Sequence, residues 1–189
     1  MVDLASNYSK ERGVYIIALK LRDLRQVFNS LDPSPFPERD LDDEIEAYIV
    51  DSAREFNMRT PIKLVFYLRD SAQEGAVEMV REDIHNYFAY RADVAAKELR
   101  YTLSEGRLAL LVGLVFLFVC ISLRQLLARA GYSVLLDILE EGLLIGGWVA
   151  MWWPLQVFLY EWWPIYRKRR VYRKLSNVPV ELRNLEALA

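Results

Sequence analysis

The chain has 189 residues, of which 53% are hydrophobic, and its formal net charge is −2. Its mean hydropathy is only +0.06, so strongly apolar segments must be offset by a water-soluble part. Residues 1–105 hold 14 Lys and Arg against 20 Asp and Glu, whereas 106–189 hold 10 against 6. This asymmetry argues against nucleic acid as a partner and favours anionic lipid near the basic end. Cys120 is the only cysteine, which excludes a disulfide framework within one chain.

The first half of the chain alternates between strand and helix patterns. Residues 1–12 are polar and contain no apolar run, so we expect no cleavable signal peptide. GVYIIALKL at 13–21 predicts a buried strand, and PIKLVFYLR at 61–69 predicts a second strand. Between them, apolar residues at helical spacing predict an amphipathic helix over 41–57 with Asp40 as its N-cap.

A second helix follows the second strand. Ser71 to Glu74 form a capping box, and the helical pattern that begins at Ala76 meets no proline or glycine before Gly106. The predicted fold class is therefore an α/β cytoplasmic head of strand, helix, strand and helix over 1–105. A two-stranded parallel sheet leaves faces and edges uncovered, so the pattern predicts that heads of neighbouring subunits associate.

Two apolar stretches in the second half predict a transmembrane hairpin. LALLVGLVFLFVCISL at 108–123 is uncharged, and so are the nineteen residues from Gly142 to Tyr160. At ~1.5 Å per residue these stretches cover roughly 24 and 28 Å, close to the ~30 Å hydrocarbon core of a bilayer. The predicted segments are a first span at 106–128, a non-cytoplasmic interfacial connection at 129–141, a second span at 142–166 and a basic cytoplasmic tail at 167–189.

Aromatic and basic residues orient this hairpin. Trp162, Trp163 and Tyr166 end the second span and are predicted interfacial anchors. The basic residues just beyond are predicted to contact lipid headgroups; they are Arg167, Lys168, Arg169, Arg170, Arg173 and Lys174. Because Lys and Arg concentrate before the first span and after the second, both termini are predicted to be cytoplasmic.

The second span also carries features that favour contact with another helix. Gly142 and Gly146 have the spacing that lets two helices approach closely, and Pro154 is predicted to free a backbone carbonyl and kink the helix. We therefore predict that Gly146→Leu disrupts an oligomer more than Gly142→Ala does.

Few residues suggest chemistry. His85, the only histidine, has Glu82 nearby, but one histidine without a second histidine or a cysteine is a poor transition-metal site, so a structural role is predicted. The acidic residues between Glu38 and Glu46 lack the spacing of a calcium loop and fit helix capping. No phosphate loop, nucleophile elbow or paired-cysteine motif occurs, so we predict no catalytic, cofactor or metal site and no enzymatic activity.

Three carboxylates near the predicted membrane boundaries have two interpretations. Glu140, Glu141 and Glu161 form a candidate polar ring if several copies surround a pore. The alternative is that they lie at headgroup depth, with Glu161 in reach of an ion pair with Arg167 or Lys168.

Two sequence stretches resemble a known group. LRDLRQVFNSLDPSPFPERDLDDEIEAYIV at 21–50 and EEGLLIGGWVAMWWPLQVFLYEWWP at 140–164 are similar to small uncharacterised bacterial membrane proteins with a DPSPF–ERDLD head and a Trp-Pro-rich second span. The resemblance implies a bacterial inner membrane and implies no activity or site residue.

Three functions follow from these patterns. The preferred hypothesis is a homo-oligomeric membrane scaffold or assembly subunit, whose partners are the bilayer and further copies of the chain. The first alternative is an oligomeric ion channel or transport component. The second is a membrane-bound enzyme with its site at the DPSPF loop.

Overall fold

A computed structural model describes residues 8–29, 40–68, 76–129 and 133–185. The chain divides into two compact units. We call them the head unit, Met1–Val94 with Lys168–Ala189, and the hairpin unit, Ala95–Arg167. The DPSPF loop and the Ser71 capping box of the sequence prediction lie outside the described residues.

The head unit contains a four-stranded sheet in the order β1-β2-β3-β4. The strands are β1 Lys10–Glu11, β2 Val14–Leu21, β3 Ile62–Leu68 and β4 Val180–Asn184. β1 pairs antiparallel with β2, while β2, β3 and β4 run parallel. The two predicted strands, β2 and β3, are thus confirmed and lie side by side, with Tyr15 opposite Ile62.

The predicted two-stranded sheet was wrong in extent, because the chain supplies its own flanking strands. β4 comes from the segment predicted to be a basic tail, and it places Val180 opposite Leu64. All seven residues of β3 are buried, as expected for a central parallel strand. The inference that neighbouring heads must complete the sheet therefore loses its basis.

Among the described residues, three α-helices contribute to the core of the head unit. α1 is Asp43–Glu55, and its N-cap is Asp42, not Asp40 as the sequence suggested, since the Asp42 carboxylate accepts from the Glu44 and Ile45 amides. α2, Ala76–Leu127, contributes its residues up to Val94 to the head unit. α5, Trp162–Leu175, contributes residues from Lys168 onward. The fully buried side chains of this unit include Ile17, Ile49, Leu64, Phe66, Ile84, Phe88 and Leu175.

The hairpin unit is helical. The rest of α2 packs against α3, Val134–Ala150, and α4, Trp152–Gln156, which is followed by a π-helical turn at Val157–Glu161. Contacts join residues near Gly106 to Val157 and residues near Gly113 to Ala150, so the two sides run antiparallel. α2 is the one helix of the described chain that is long and apolar enough to cross a membrane by length and composition; its most apolar window has a mean hydropathy of 2.4 and is 17% buried.

Two predicted boundaries differ in the structure. α3 begins at Val134, so the stretch 134–141 belongs to the same helix as Gly142 and is not a separate connection. The predicted second span at 142–166 is not one helix either. α3 ends at Ala150, the residue whose carbonyl Pro154, lacking an N–H, cannot pair with. The predicted kink at Pro154 stays a prediction.

Candidate functional site

A polar arrangement in the head unit surrounds Glu46 on α1, which is 9% exposed. Tyr87 on α2 donates its hydroxyl to Glu46 Oε2 at 2.6 Å, and Tyr172 on α5 donates to Oε1 at 2.8 Å. Arg91 donates to Oε1 through Nε at 3.1 Å and through Nη2 at 2.9 Å. We call these four residues the Glu46 cluster.

Hydrogen bonds keep the Glu46 cluster charged. Burial by itself raises the pKa of Glu46, but the bonds from Tyr87 and Tyr172 and the charge of Arg91 lower it below its usual value. Burial raises the pKa of Tyr87, and donation to Glu46 raises it further. A carboxylate that accepts this many hydrogen bonds is a weak proton acceptor, and the cluster therefore does not resemble a general base. Its hydrogen bonds instead connect the three helices α1, α2 and α5.

The Glu46 cluster was missed by the sequence analysis. Glu46 belongs to an acidic helix start, where capping and solvation explain most carboxylates. The available signal was the i, i+4 spacing of Tyr87 and Arg91, which indicates one polar stripe on an otherwise apolar helix face. Tyr172 lies 126 residues from Glu46, and no local pattern predicts such a contact.

A second charged network lies on the sheet. Lys63 Nζ donates to Glu11 at 2.9 Å and to Glu181 at 2.8 Å, and Arg183 Nη1 donates to Glu11 at 2.7 Å. Hydrogen bonds from Arg183 and Lys63 lower the pKa of Glu11 to about 2. The four residues come from β1, β3 and β4, so the network holds together strands from both ends of the chain.

One buried carboxylate has no hydrogen-bond partner among the described residues. Asp83 on α2 is 3% exposed, and within the described part of the chain nothing donates to either of its carboxylate oxygens. Burial raises its pKa to about 6, and the charge of Glu82 adds to this shift. His85, two residues further on, donates Nε2–H to the Val178 carbonyl at 2.7 Å. Within the described ranges no group of three or more His, Cys, Asp or Glu side chains is placed to hold a metal ion.

A charged crevice of about 610 Å³ lies where β2 ends and α1 begins. It is lined by Lys20, Leu21, Arg22, Asp23, Gln26, Phe28, Asp42, Glu44 and Ile45. Phe28 and Leu41 form an antiparallel bridge, so the two ends of the DPSPF loop meet beside it. Ligands often bind at the carboxyl ends of parallel strands. Here three carboxylates and two basic side chains line the same crevice, so its charge favours neither an anionic nor a cationic ligand.

Close helix contact in the hairpin unit occurs at three glycines that were not predicted. A Cβ on Gly147 meets Leu117 at 2.8 Å, one on Gly113 meets the Ala150 carbonyl oxygen at 3.1 Å, and one on Gly106 meets Val157 at 2.7 Å. No described residue lies within 4 Å of a Cβ on Gly142 or Gly146. Their predicted role in helix packing therefore stays a prediction about contact with another molecule.

The predicted interfacial aromatics form a group at the start of α5. Trp162 and Trp163 rings are 5.4 Å apart, and Tyr166 lies 6.0 Å from Trp162. Trp162 Nε1 donates to the Phe158 carbonyl at 2.7 Å, at the π-helical turn. This bond satisfies the indole N–H without water, which suits a ring at the edge of an apolar region.

The basic run of the predicted tail, 167–174, is part of α5 in the structure. Lys174 Nζ donates to the Asn57 carbonyl at 3.0 Å, and Lys168 Nζ lies 5.9 Å from the centre of the Tyr172 ring. Arg167, Arg170 and Arg173 are exposed, and Arg169 is half-buried. Part of the basic run therefore packs on the head unit, and its contact with lipid headgroups stays a prediction.

The three carboxylates of the candidate polar ring differ in their surroundings. Glu140 lies 3.9 Å from Arg124, Glu161 accepts from Gln156 Nε2 at 3.1 Å, and Glu141 is exposed. Two of them thus have partners in their own chain.

An apolar groove runs along the hairpin unit and has a volume of about 560 Å³. One wall is a stripe of α2, formed by Glu105, Leu108, Ala109, Val112, Gly113 and Phe116. The opposite wall is formed by Ala150, Trp153 and Pro154. Glu105 is the only charged residue in this lining, as far as the described residues go.

Comparison with known proteins identifies no relative of this chain. No protein-family model, no curated protein and no solved structure matches the chain.

Proposed function

We propose that the chain is a membrane-anchored assembly subunit, in which a two-span helical hairpin holds an α/β head and self-associates in the bilayer. The DPSPF resemblance, the charge asymmetry and the basic run after the second span support a bacterial inner membrane with both termini in the cytoplasm.

The observation that carries the two-span proposal is the pairing of β3 with β4. β3 precedes the hairpin unit in the chain and β4 follows it, yet both strands belong to one sheet. Tyr172 and Glu46 join the same two parts of the chain. Residues of one folded unit must lie on one side of a bilayer, so the intervening segment must cross it an even number of times.

Exposed apolar side chains support crossing twice instead of not at all. Leu111 and Phe118 on α2 are 60% and 72% exposed, and Leu135 and Trp152 on the other side are each 73% exposed. Soluble monomers rarely expose apolar patches of this extent. A bilayer would cover both sides of the hairpin unit, including the interrupted second side, because the breaks at Met151 and at the π turn occur within helical backbone.

Self-association is supported by the free face of α3. Gly142 and Gly146 are not used in packing against α2, so this small-residue face is open to a helix from a second copy. The pore alternative requires Glu140 and Glu161 to face water instead of Arg124 and Gln156. Proteoliposome ion flux that is lost in Glu140→Gln and Glu161→Gln variants would favour the pore.

Cysteine labelling tests the proposal. In a Cys120→Ala background, single cysteines replace the exposed residues Asp43, Ser133 and Asn177, and intact cells or inverted vesicles receive a membrane-impermeant maleimide. Asp43 and Asn177 are expected to label from the same side and Ser133 from the other. Labelling of Asp43 and Asn177 from opposite sides would overturn the two-span arrangement.

The assembly part is tested by native mass spectrometry of the full chain released from nanodiscs. Gly146→Leu is expected to lower the oligomer population more than Gly142→Ala. A monomeric wild-type protein at all concentrations would contradict self-association.

A further inference from the structure

The α2 wall of the apolar groove in the hairpin unit is about as long as the hydrocarbon part of one bilayer leaflet is thick. At about 1.5 Å per residue, the wall from Glu105 to Phe116 is roughly 16 Å long, half of the ~30 Å hydrocarbon core. Just beyond Phe116, the groove is followed by close contact of Gly147 with Leu117 and Cys120. A helix from another subunit would extend through both leaflets, whereas an acyl chain fills one.

The polarity of the groove also changes along its length. Leu108, Val112 and Phe116 are 65%, 60% and 48% exposed. They line the groove together with Ala109 and Gly113, whose small size leaves room in it. Glu105 lies at the end where the charged part of α2 gives way to the apolar run at 108–123. A groove with one charged end and an apolar remainder fits an amphiphile.

The charge at this end selects the headgroup. Glu105 supplies the only carboxylate among the described residues of the lining, and a carboxylate offers several acceptor positions. A primary ammonium group is its complement, because it brings a positive charge and three N–H donors. A quaternary ammonium group brings the charge but no donor.

We propose that the groove binds one acyl chain of an aminophospholipid whose ammonium group donates to Glu105. The proposal rests on the proposed function, because it needs the hairpin unit to lie in a bilayer. It adds a lipid site with a headgroup preference to the membrane anchor.

Native mass spectrometry measures this preference on the full chain. The protein is reconstituted into nanodiscs of equal phosphatidylethanolamine and phosphatidylcholine, released, and the retained lipid is identified. Wild type is expected to retain phosphatidylethanolamine in excess. Glu105→Gln is expected to reduce the excess about tenfold, the effect of losing a charge-assisted hydrogen bond, whereas the matched control Glu98→Gln on the same helix leaves it unchanged.

A second pair of variants tests the groove itself. Ala109→Phe fills the groove and is expected to remove the retained lipid, whereas Leu111→Phe, at an exposed position outside the lining, keeps it. Equal retention of both lipids by wild type, or retention unchanged in Ala109→Phe, would overturn the proposal. Loss of oligomer without loss of lipid in Ala109→Phe would assign the groove to a second copy and would also overturn it.

The same spectra separate this proposal from the proposed function. Monomers that retain phosphatidylethanolamine contradict assembly and support the lipid site. Oligomers without retained lipid contradict the site and support assembly.

Discussion

The head unit and the hairpin unit define their packing in different ways, the first through paired polar groups and the second through small residues. The head unit buries charged and phenolic groups and satisfies them with one another, as in the Glu46 cluster and the network around Lys63. The hairpin unit has few polar contacts among its described residues and brings helices together at Gly106, Gly113 and Gly147. Polar pairing distinguishes correct from incorrect packing where water competes, while small residues allow close packing where hydrocarbon surrounds the helices.

The largest expected effect comes from breaking the Glu46 cluster. Glu46→Ala removes the ion pair of Arg91, whose side chain is 36% exposed, and leaves the buried Tyr87 and Tyr172 hydroxyls without their acceptor. Each unsatisfied buried group costs about 1–3 kcal/mol. Hydrogen exchange of the full chain in nanodiscs should show faster exchange of β3 amides, while the 108–123 amides stay protected. The exposed neighbour Glu44→Ala is the control, and equal exchange in both variants would mean that the cluster contributes little to stability.

The hairpin unit has its own critical position at Gly147. Gly147→Leu places a Cβ 2.8 Å from Leu117 and 3.3 Å from Cys120, and overpacking of this kind costs about 1–3 kcal/mol. Faster exchange is expected for the 108–123 amides and not for β3. Gly146→Leu is the matched control because its Cβ meets no described residue within 4 Å, so it should leave exchange in the isolated chain unchanged even if it disrupts the oligomer. Similar exchange in the two variants would contradict the packing at Gly147.

The sequence predicted individual strands better than the contacts between segments that are distant in the chain. β2 and β3 were predictable because apolar alternation acts locally. β4 was missed because Val180 to Asn184 is short and follows a basic run, although Val180 and Leu182 alternate with Glu181 and Arg183. Which glycines make helix contacts depends on rotation of α3 relative to α2. The spacing of Gly142 and Gly146 shows that they share one face of α3, but it does not show whether that face is turned toward α2.

The smallest effect concerns Asp83, the group that breaks the pattern of the head unit. Its pKa is raised to about 6 from the ordinary value of 3.8, mainly by burial, so the folded state binds a proton more tightly than the unfolded state does. The free energy of unfolding therefore decreases as pH rises from about 4 to about 6. Asp83→Asn removes the buried charge and is expected to stabilise the head unit at pH 7, by less than the roughly 3 kcal/mol that a shift of about two pKa units represents at about 1.4 kcal/mol per unit, and to have little effect below pH 4.

The pH range separates Asp83 from the sheet network. Glu11 has a lowered pKa of about 2 against 4.5, so its contribution is present above pH 4.5 and is lost as pH falls toward 2, opposite in sign to that of Asp83. Exchange of β3 amides between pH 5 and 7, corrected for intrinsic rates, should therefore rise with pH in the wild type and stay flat in Asp83→Asn. A pH profile unchanged by this substitution would mean that Asp83 is already solvated or paired in the folded protein. Every buried charged group in the described part of the head unit would then have a partner or contact with water.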